Sequence, residues 1–194
     1  MMIMVDPETA TIAPEWIRRL SRSEYRKMGD AGFFAHERVE LLYGQVVLMS
    51  PADPSHEHAC WTIGEQLRNL LRDRAAVRNG HSFAATDDSE PVPDIVVTPR
   101  AAYWDDHPST AYLVVEVSRT SLRKDRGVKA RLYGSVAVQE YWVVDIDGGC
   151  VHVLREPDGN GGWRSHHVAR RGDVLAVEAF ADVTIAVERI LPPR

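Results

Sequence analysis

Two valine-rich runs that each carry a single acid constrain this chain most: Pro93-Asp94-Ile95-Val96-Val97 and Val114-Val115-Glu116-Val117-Ser118. Runs of this composition suit strands covered on both faces. Each acid therefore interrupts or abuts a segment that would otherwise lose contact with water. A carboxylate placed there gives up hydration that only a cation, a set of hydrogen-bond donors or protonation can replace. Two such acids point to one shared cation. The competing reading is that Asp94 caps a turn after proline and Glu116 pairs with a nearby arginine.

Around these runs the chain alternates helical and extended patterns. Ser21 and Glu24 have capping-box spacing for a short helix through Met28. Arg38 to Leu42 and Gln45 to Met49 flank Tyr43-Gly44, where glycine supplies the positive φ of a hairpin turn. From Ser55 to about Arg74, Cys60, Ile63, Leu67, Leu70 and Leu71 recur at three- and four-residue intervals, the period of an amphipathic helix. The pattern then predicts strands near His81 to Ala85, beyond the Asn79-Gly80 break, and at Ile95 to Thr98, Ala111 to Val117 and Gln139 to Ile146. Helical character at Val128, Leu132 and Tyr133 falls between the last two. Val151 to Leu154 and Trp163 to Val168 flank the loop Asp158 to Gly162 as a second hairpin, and a closing strand falls near Val183 to Val187. The expected class is a mixed α/β (α+β) fold, a mixed sheet flanked by helices with N-terminal and C-terminal hairpins.

A hydrophobic share of 44% and a charged share of 26% exclude a disordered chain. No composition break marks a second core, so residues 1–194 read as one domain with an N-terminal extension over residues 1–20. The longest apolar runs, Tyr112 to Val117 and Tyr141 to Ile146, fall short of the roughly 20 residues that span a bilayer. The first residues, with Asp6 and Glu8, lack the basic and apolar regions of a secretory signal. A cytoplasmic protein without a membrane partner is expected. Cys60 and Cys150 are too few for a disulfide framework or a thiolate zinc site and read as buried thiols. His56 and Cys60 share a helix face, but two ligands do not make a zinc site, so His56 is expected as a histidine facing the cleft. Gly159 to Gly162 lacks the following helix of a phosphate cradle. The tryptophans Trp61, Trp104, Trp142 and Trp163 are scattered and read as core or edge packing.

A net charge of -5 would repel a polyanion if it were spread evenly. It is not: Arg119, Arg123, Lys124, Arg126, Lys129 and Arg131 crowd one segment against Asp125 alone. Hard cations such as magnesium take oxygen ligands. Asp94, Glu116 and one backbone carbonyl, assigned to Val117, would leave coordination positions for water and phosphate oxygens. A nearby lysine would hold the attacking water and offset charge developing on phosphoryl oxygens. Lys129, one helical segment after Glu116, is the candidate and Lys124 its competitor. Lys129 is preferred because its helix would pack its first turns over the strand carrying Glu116.

At these residues the chain resembles the Uma2 family, a branch of the PD-(D/E)XK restriction-endonuclease-like superfamily, over about residues 39–190. The resemblance rests on Val39-Glu40-Leu41-Leu42-Tyr43-Gly44, Met49-Ser50-Pro51 with His56 soon after, Pro93-Asp94-Ile95, Val114 to Ser118, Asp125-Arg126-Gly127-Val128-Lys129 and Glu140 to Asp145. It implies an αβββαβ core, a Mg2+ or Mn2+ ion at Asp94 and Glu116, and a contribution from Glu40. The implied catalytic set is Glu40, Asp94, Glu116 and Lys129, and the implied reaction is endonucleolytic hydrolysis of DNA phosphodiester bonds by metal-activated water. Arg119, Arg123, Lys124, Arg126 and Arg131 would hold phosphates, and a homodimer would bring two sites to two strands. One departure stands out: two residues after Glu116 the superfamily motif has lysine and this chain has Ser118, whereas the family is similar in placing its lysine on the next helix. The rival reading is an inactive nucleic-acid-binding or assembly module on the same fold. The intact acidic and lysine set favours the enzyme.

Overall fold

The computed structural model describes residues 17–193, so most of the expected N-terminal extension lies outside the described residues. Helix α1 (Arg22–Asp30) opens on the expected capping box. Ser21 Oγ accepts from the Glu24 N–H while the Glu24 carboxylate accepts from the Ser21 N–H. Strands β1 (Val39–Leu42) and β2 (Gln45–Leu48) form the expected hairpin. Its turn residues Tyr43 and Gly44 have φ of 50° and 74°, the double positive φ that matches the strands' twist. Glycine is required at the second position for a further reason, since a Cβ there would overlap Arg19.

Helix α2 (Pro54–Leu71) is capped by Asp53, whose carboxylate accepts from the N–H groups of Ser55 and His56, and it starts on a proline whose missing N–H costs nothing there. The helix stops short of Arg74, and the next strand, β3 (Ala76–Asn79), precedes the Asn79-Gly80 break instead of following it. The strand expected at His81 to Ala85 is irregular chain. Phe83 donates to the Pro91 carbonyl, but Pro91 has no N–H to return, and Ala84 donates to the Pro108 carbonyl, so no ladder forms.

Strands β4 (Ile95–Thr98) and β5 (Ala111–Ser118) carry the two valine runs. Helix α3 (residues 122–134) then crosses to β6 (Val138–Asp145), which lies parallel to β5. With β7 (Cys150–Pro157) and β8 (Trp163–Arg170) these make one six-stranded sheet in the order β3-β4-β5-β6-β7-β8, antiparallel at every neighbour pair except β5-β6. The run from α2 to β6 reproduces the αβββαβ order that the family resemblance implies. The second expected hairpin is therefore the edge of the main sheet. The separate C-terminal hairpin is formed by β9 (Val174–Val177), not anticipated from the sequence, and β10 (Phe180–Ala186).

Alternation along β5 decides which side chain meets which layer. Leu113, Val115 and Val117 join Ile63, Leu67 and Leu71 of α2 and Val183 and Ile185 of β10 in one core. Val114 packs with Tyr133, Tyr141 and Val143 in a second core on the opposite face, under α3. Glu116 shares the parity of Val114, so the strand's period points its carboxylate at α3. Burying each of the three α2 side chains is worth about 1.5–3 kcal/mol, which fixes α2 and with it His56. Of the four tryptophans read as packing, Trp142 is fully buried and Trp163 packs partly against the second core. Trp61 and Trp104 are exposed.

Candidate active site

Asp94 sits one residue before β4, at the end of the sheet where β5 carries Glu116. Asp94 Oδ2 accepts the Val117 N–H at 2.7 Å and lies 3.1 Å from His56 Nε2. Glu116 Oε1 accepts from Lys129 Nζ at 2.9 Å and from the Tyr133 hydroxyl at 3.0 Å. Each carboxylate thus has one oxygen anchored, while among the described residues no donor reaches Asp94 Oδ1 or Glu116 Oε2. Both acids, Val117 and His56 line one cavity of about 60 Å³. That is room for a small ion and a few waters but not for a nucleotide. A larger cavity of about 770 Å³ adjoins it, sharing Arg38, Met49 and Val92.

The hairpin β1-β2 brings in Glu40, which is fully buried. Glu40 Oε1 accepts from Lys124 Nζ at 2.8 Å, and Oε2 lies 2.9 Å from Lys129 Nζ and accepts from the Val92 N–H. Lys129 therefore bridges Glu40 and Glu116, and Lys124 reaches Glu40 alone. Two residues five apart point about 140° away from each other on an α-helix. Here they converge because Asp125–Lys129 forms a π turn between the α-helical segments Leu122–Lys124 and Ala130–Gly134. Such one-turn insertions recur at functional sites. Ser118, which stands where the superfamily motif has lysine, serves a different purpose, since its hydroxyl donates to Asp125 Oδ2 at 2.7 Å and ties α3 to β5.

Electrostatics follow from this crowding. Asp53, Asp94, Glu116 and Asp125 line the cavity, with Glu40 behind Lys124 and Lys129, against Arg38, Arg119, Lys124 and Lys129, so acids and bases are packed together there in nearly equal number. Burial is the largest influence on Glu116 and pushes its carboxyl well above the usual carboxylate range. Lys129 opposes this, and Asp125, Asp94 and Glu40 add to it. Burial also works against the Lys129 charge, yet Glu116 and Glu40 outweigh it and hold the ammonium above the ordinary lysine range. Glu40 is held below its ordinary value, burial being overcome by Lys129 and Lys124. The bond to Asp94 raises the His56 imidazole despite partial burial.

The basic segment does not converge as a whole. Arg119 and Lys124 line the cavity together with Lys129, and Arg119 also meets Asp53 and Asp147. Arg123 is exposed, and Arg131 lies by Tyr43 of the hairpin. Arg126 faces the β7-β8 edge, where burial first and then its guanidinium hold the His152 and His166 imidazoles below their usual range. Sequence reasoning does not single out Asp125, Tyr133 or Arg38. A signal exists for two of them, since Asp125 and Tyr133 stand four residues either side of Lys129 and so share its helix face. Asp94 also joins His56 and Cys60 as a third donor that helix spacing cannot supply.

A mixed sheet with an αβββαβ core and two acids at the ends of neighbouring strands defines a restriction-endonuclease-like nuclease fold. The chain belongs to the Uma2 family, described as "Putative restriction endonuclease", whose model matches residues 22–188. It is similar to the crystal structure of a "putative nuclease belonging to DUF820" from Anabaena variabilis, with a TM-score of 0.69 and 15% identity over 88% of this chain and 97% of that one. The type IIG restriction endonuclease BpuSI aligns over 58% of this chain and 13% of its own, at 15% identity and a TM-score of 0.35, too partial a match to carry weight. No curated protein matches the chain. Among the described residues no helix is long and apolar enough to cross a membrane.

Proposed function

We propose that this protein is a divalent-metal-dependent endonuclease that hydrolyses phosphodiester bonds in DNA. The observation that carries the reading is the pair of half-anchored carboxylates, Asp94 and Glu116, each with one oxygen bonded to protein and one left over beside the same cavity. The donor set fits a hard cation such as Mg2+ or Mn2+, because the ligands are oxygens, with the Val117 carbonyl as a third. When bound there, such an ion supplies Lewis-acid charge to a phosphoryl oxygen and to water.

The chain's own residues do the rest. Lys129 stays protonated, which makes it an electrostatic and positioning group, not a general base. Of its three N–H donors, two are used on Glu40 and Glu116. The third is free to hold a water or a phosphoryl oxygen and to offset charge developing there. Glu40 anchors both lysines, and His56 with the Val117 N–H fixes the Asp94 rotamer. Arg119 and Lys124 at the cavity mouth are placed to take flanking phosphates, whereas Arg123, Arg126 and Arg131 leave α3 away from the cavity and have no such role. DNA as the substrate rests on the family.

Wild-type protein should nick supercoiled plasmid with Mg2+ or Mn2+ and not in excess chelator, and Asp94→Asn prepared in parallel should not. Equal cutting by both would assign the activity elsewhere.

A pH signature follows from Glu116. Its proton must leave before the oxygen can serve as a ligand, so below the raised pKa protons compete with the ion. Divalent affinity should rise by up to about tenfold per pH unit in that range and level off above it. Calorimetry in buffers of different ionisation enthalpy should then show proton release that approaches one per ion below the raised Glu116 range and falls to none above it. No release at any pH would mean that Glu116 is not a ligand.

A further inference from the structure

A second group of ligand-type side chains lies further along the sheet, beyond the site described above. Asp145 at the end of β6 and Cys150 and His152 on β7 bring a carboxylate oxygen, Sγ and an imidazole nitrogen within 4.8 Å of one another. Cys150 is 5% exposed and His152 7%. We propose that Asp145, Cys150 and His152 form a site for a borderline-soft divalent transition metal of the Zn2+ class, distinct from the Asp94-Glu116 site.

The Cys150–His152 pair is spaced close to two ligands of a tetrahedral ion. With metal–sulfur and metal–nitrogen bonds of about 2.3 and 2.0 Å, two tetrahedral ligand atoms stand roughly 3.5 Å apart. Cys150 Sγ and His152 Nε2 are 3.9 Å apart, a few tenths of an ångström from that spacing. The other nitrogen of the same ring, Nδ1, lies 3.3 Å from His166 Nε2 on β8. That contact sets the ring's orientation and leaves Nε2 for the ion, the arrangement by which an outer partner fixes a histidine ligand. Asp145 is fixed too, because its Oδ1 accepts the Gly148 N–H at 2.7 Å. A Cβ at Gly148 would overlap the same carboxylate, so glycine is what lets the turn fold over it.

Charge and softness select the ion. A thiolate and a carboxylate together neutralise a divalent cation, and sulfur with imidazole favours zinc over magnesium. The guanidinium groups of Arg126 and Arg170 lie near the cluster. Both residues are exposed, so their side chains can turn outward to solvent. Three protein ligands leave one position for water. An ion there would join β6 and β7 and, through His166, steady the β8 edge of the sheet.

Protein stripped with chelator should bind one equivalent of Co2+ in the presence of excess Mg2+, giving a thiolate-to-cobalt charge-transfer band and tetrahedral d–d bands. Cys150→Ser should lose these bands and Cys60→Ser should keep them, while His152→Gln should bind Co2+ at least tenfold more weakly. Zn2+ should raise the melting temperature of wild type and Cys60→Ser but not of Cys150→Ser. If Cys150→Ser does not fold, His152→Gln carries the same comparison. Absence of the bands in folded wild-type protein overturns the proposal, as does a signal that follows Cys60, which would assign the soft ion to His56, Cys60 and Asp94. Because Mg2+ is in excess throughout, neither outcome depends on whether the protein cleaves DNA.

Discussion

Replacing Glu116 by glutamine should abolish cleavage while leaving the metal-free protein at least as stable as wild type above neutral pH. Both effects come from one side chain. The glutamine carbonyl can keep the two bonds that Glu116 Oε1 accepts, from Lys129 and Tyr133, so the packing of α3 on β5 survives. What is lost is the anionic oxygen left over for a cation, and the expected fall in rate is at least about a hundredfold. The stability side follows from linkage. A carboxyl whose pKa is higher folded than unfolded binds more protons in the native state. Its stabilising contribution is complete below the unfolded value and is lost as pH rises through the folded value. Glutamine does not ionise, so the urea midpoint of Glu116→Gln should fall less with rising pH than that of wild type. Divalent ions should raise the wild-type midpoint and not the variant's. A variant that is strongly destabilised at every pH, or that keeps its metal response, would show that Glu116 is a structural acid.

Lys129→Met should have the second-largest effect and the opposite stability sign. Methionine preserves most of the stem's packing, but the ammonium that bridges Glu40 and Glu116 disappears. Removing one partner of a buried ion pair typically costs about 3–5 kcal/mol. The lower end is expected here, because Glu40 keeps Lys124 and Glu116 can retain its proton. For a chain of this length that corresponds to a melting temperature lower by roughly 6–12 °C. Cleavage should fall at least about a hundredfold at a temperature where the variant is folded. Lys124 is partly exposed and meets only Glu40. Lys124→Met should therefore cost under about 1 kcal/mol and less than about tenfold in rate. Wild-type cleavage by Lys129→Met alongside an inactive Lys124→Met would exchange the two roles.

Much of this is legible in the sequence because strands with two covered faces must be almost purely apolar, and an acid inside one is conspicuous. Valine content alone gives β4 to its boundaries and β5 and β6 to within a residue or so, and Asp94 and Glu116 stand out as exceptions to it. The capping box at Ser21 and the Tyr43-Gly44 turn are legible because each needs particular residues at particular spacings. The strand before Asn79-Gly80 is not, since β3 is four residues long, only half-buried and without alternation. Pro91 does more than keep the approach to β4 extended, because it accepts from Phe83 and has no N–H to return, so no ladder forms at His81 to Ala85.

Within the site, a regular helical period of 3.6 hides the π turn. The π turn lets Lys124 and Lys129 share Glu40 instead of competing for one position. The basic segment looks like one patch only while proximity in sequence stands for proximity in space. On a helix those side chains radiate, and Arg126 and Arg131 leave on different sides. The Glu40 contacts cross 84 residues to Lys124, and no local pattern carries such a pairing; only the family resemblance brings Glu40 to notice.

Whether Asp94 and Glu116 share one metal ion is tested most directly by an anomalous difference map from crystals soaked in Mn2+ at a pH above the raised Glu116 range. One strong peak is expected between Asp94 and Glu116, within about 2.0–2.4 Å of a carboxylate oxygen from each, with the Lys129 ammonium still bridging Glu40 and Glu116. No peak there in a site open to the soak, or a peak held by only one of the two acids while Lys129 seals the other, would contradict a shared ion.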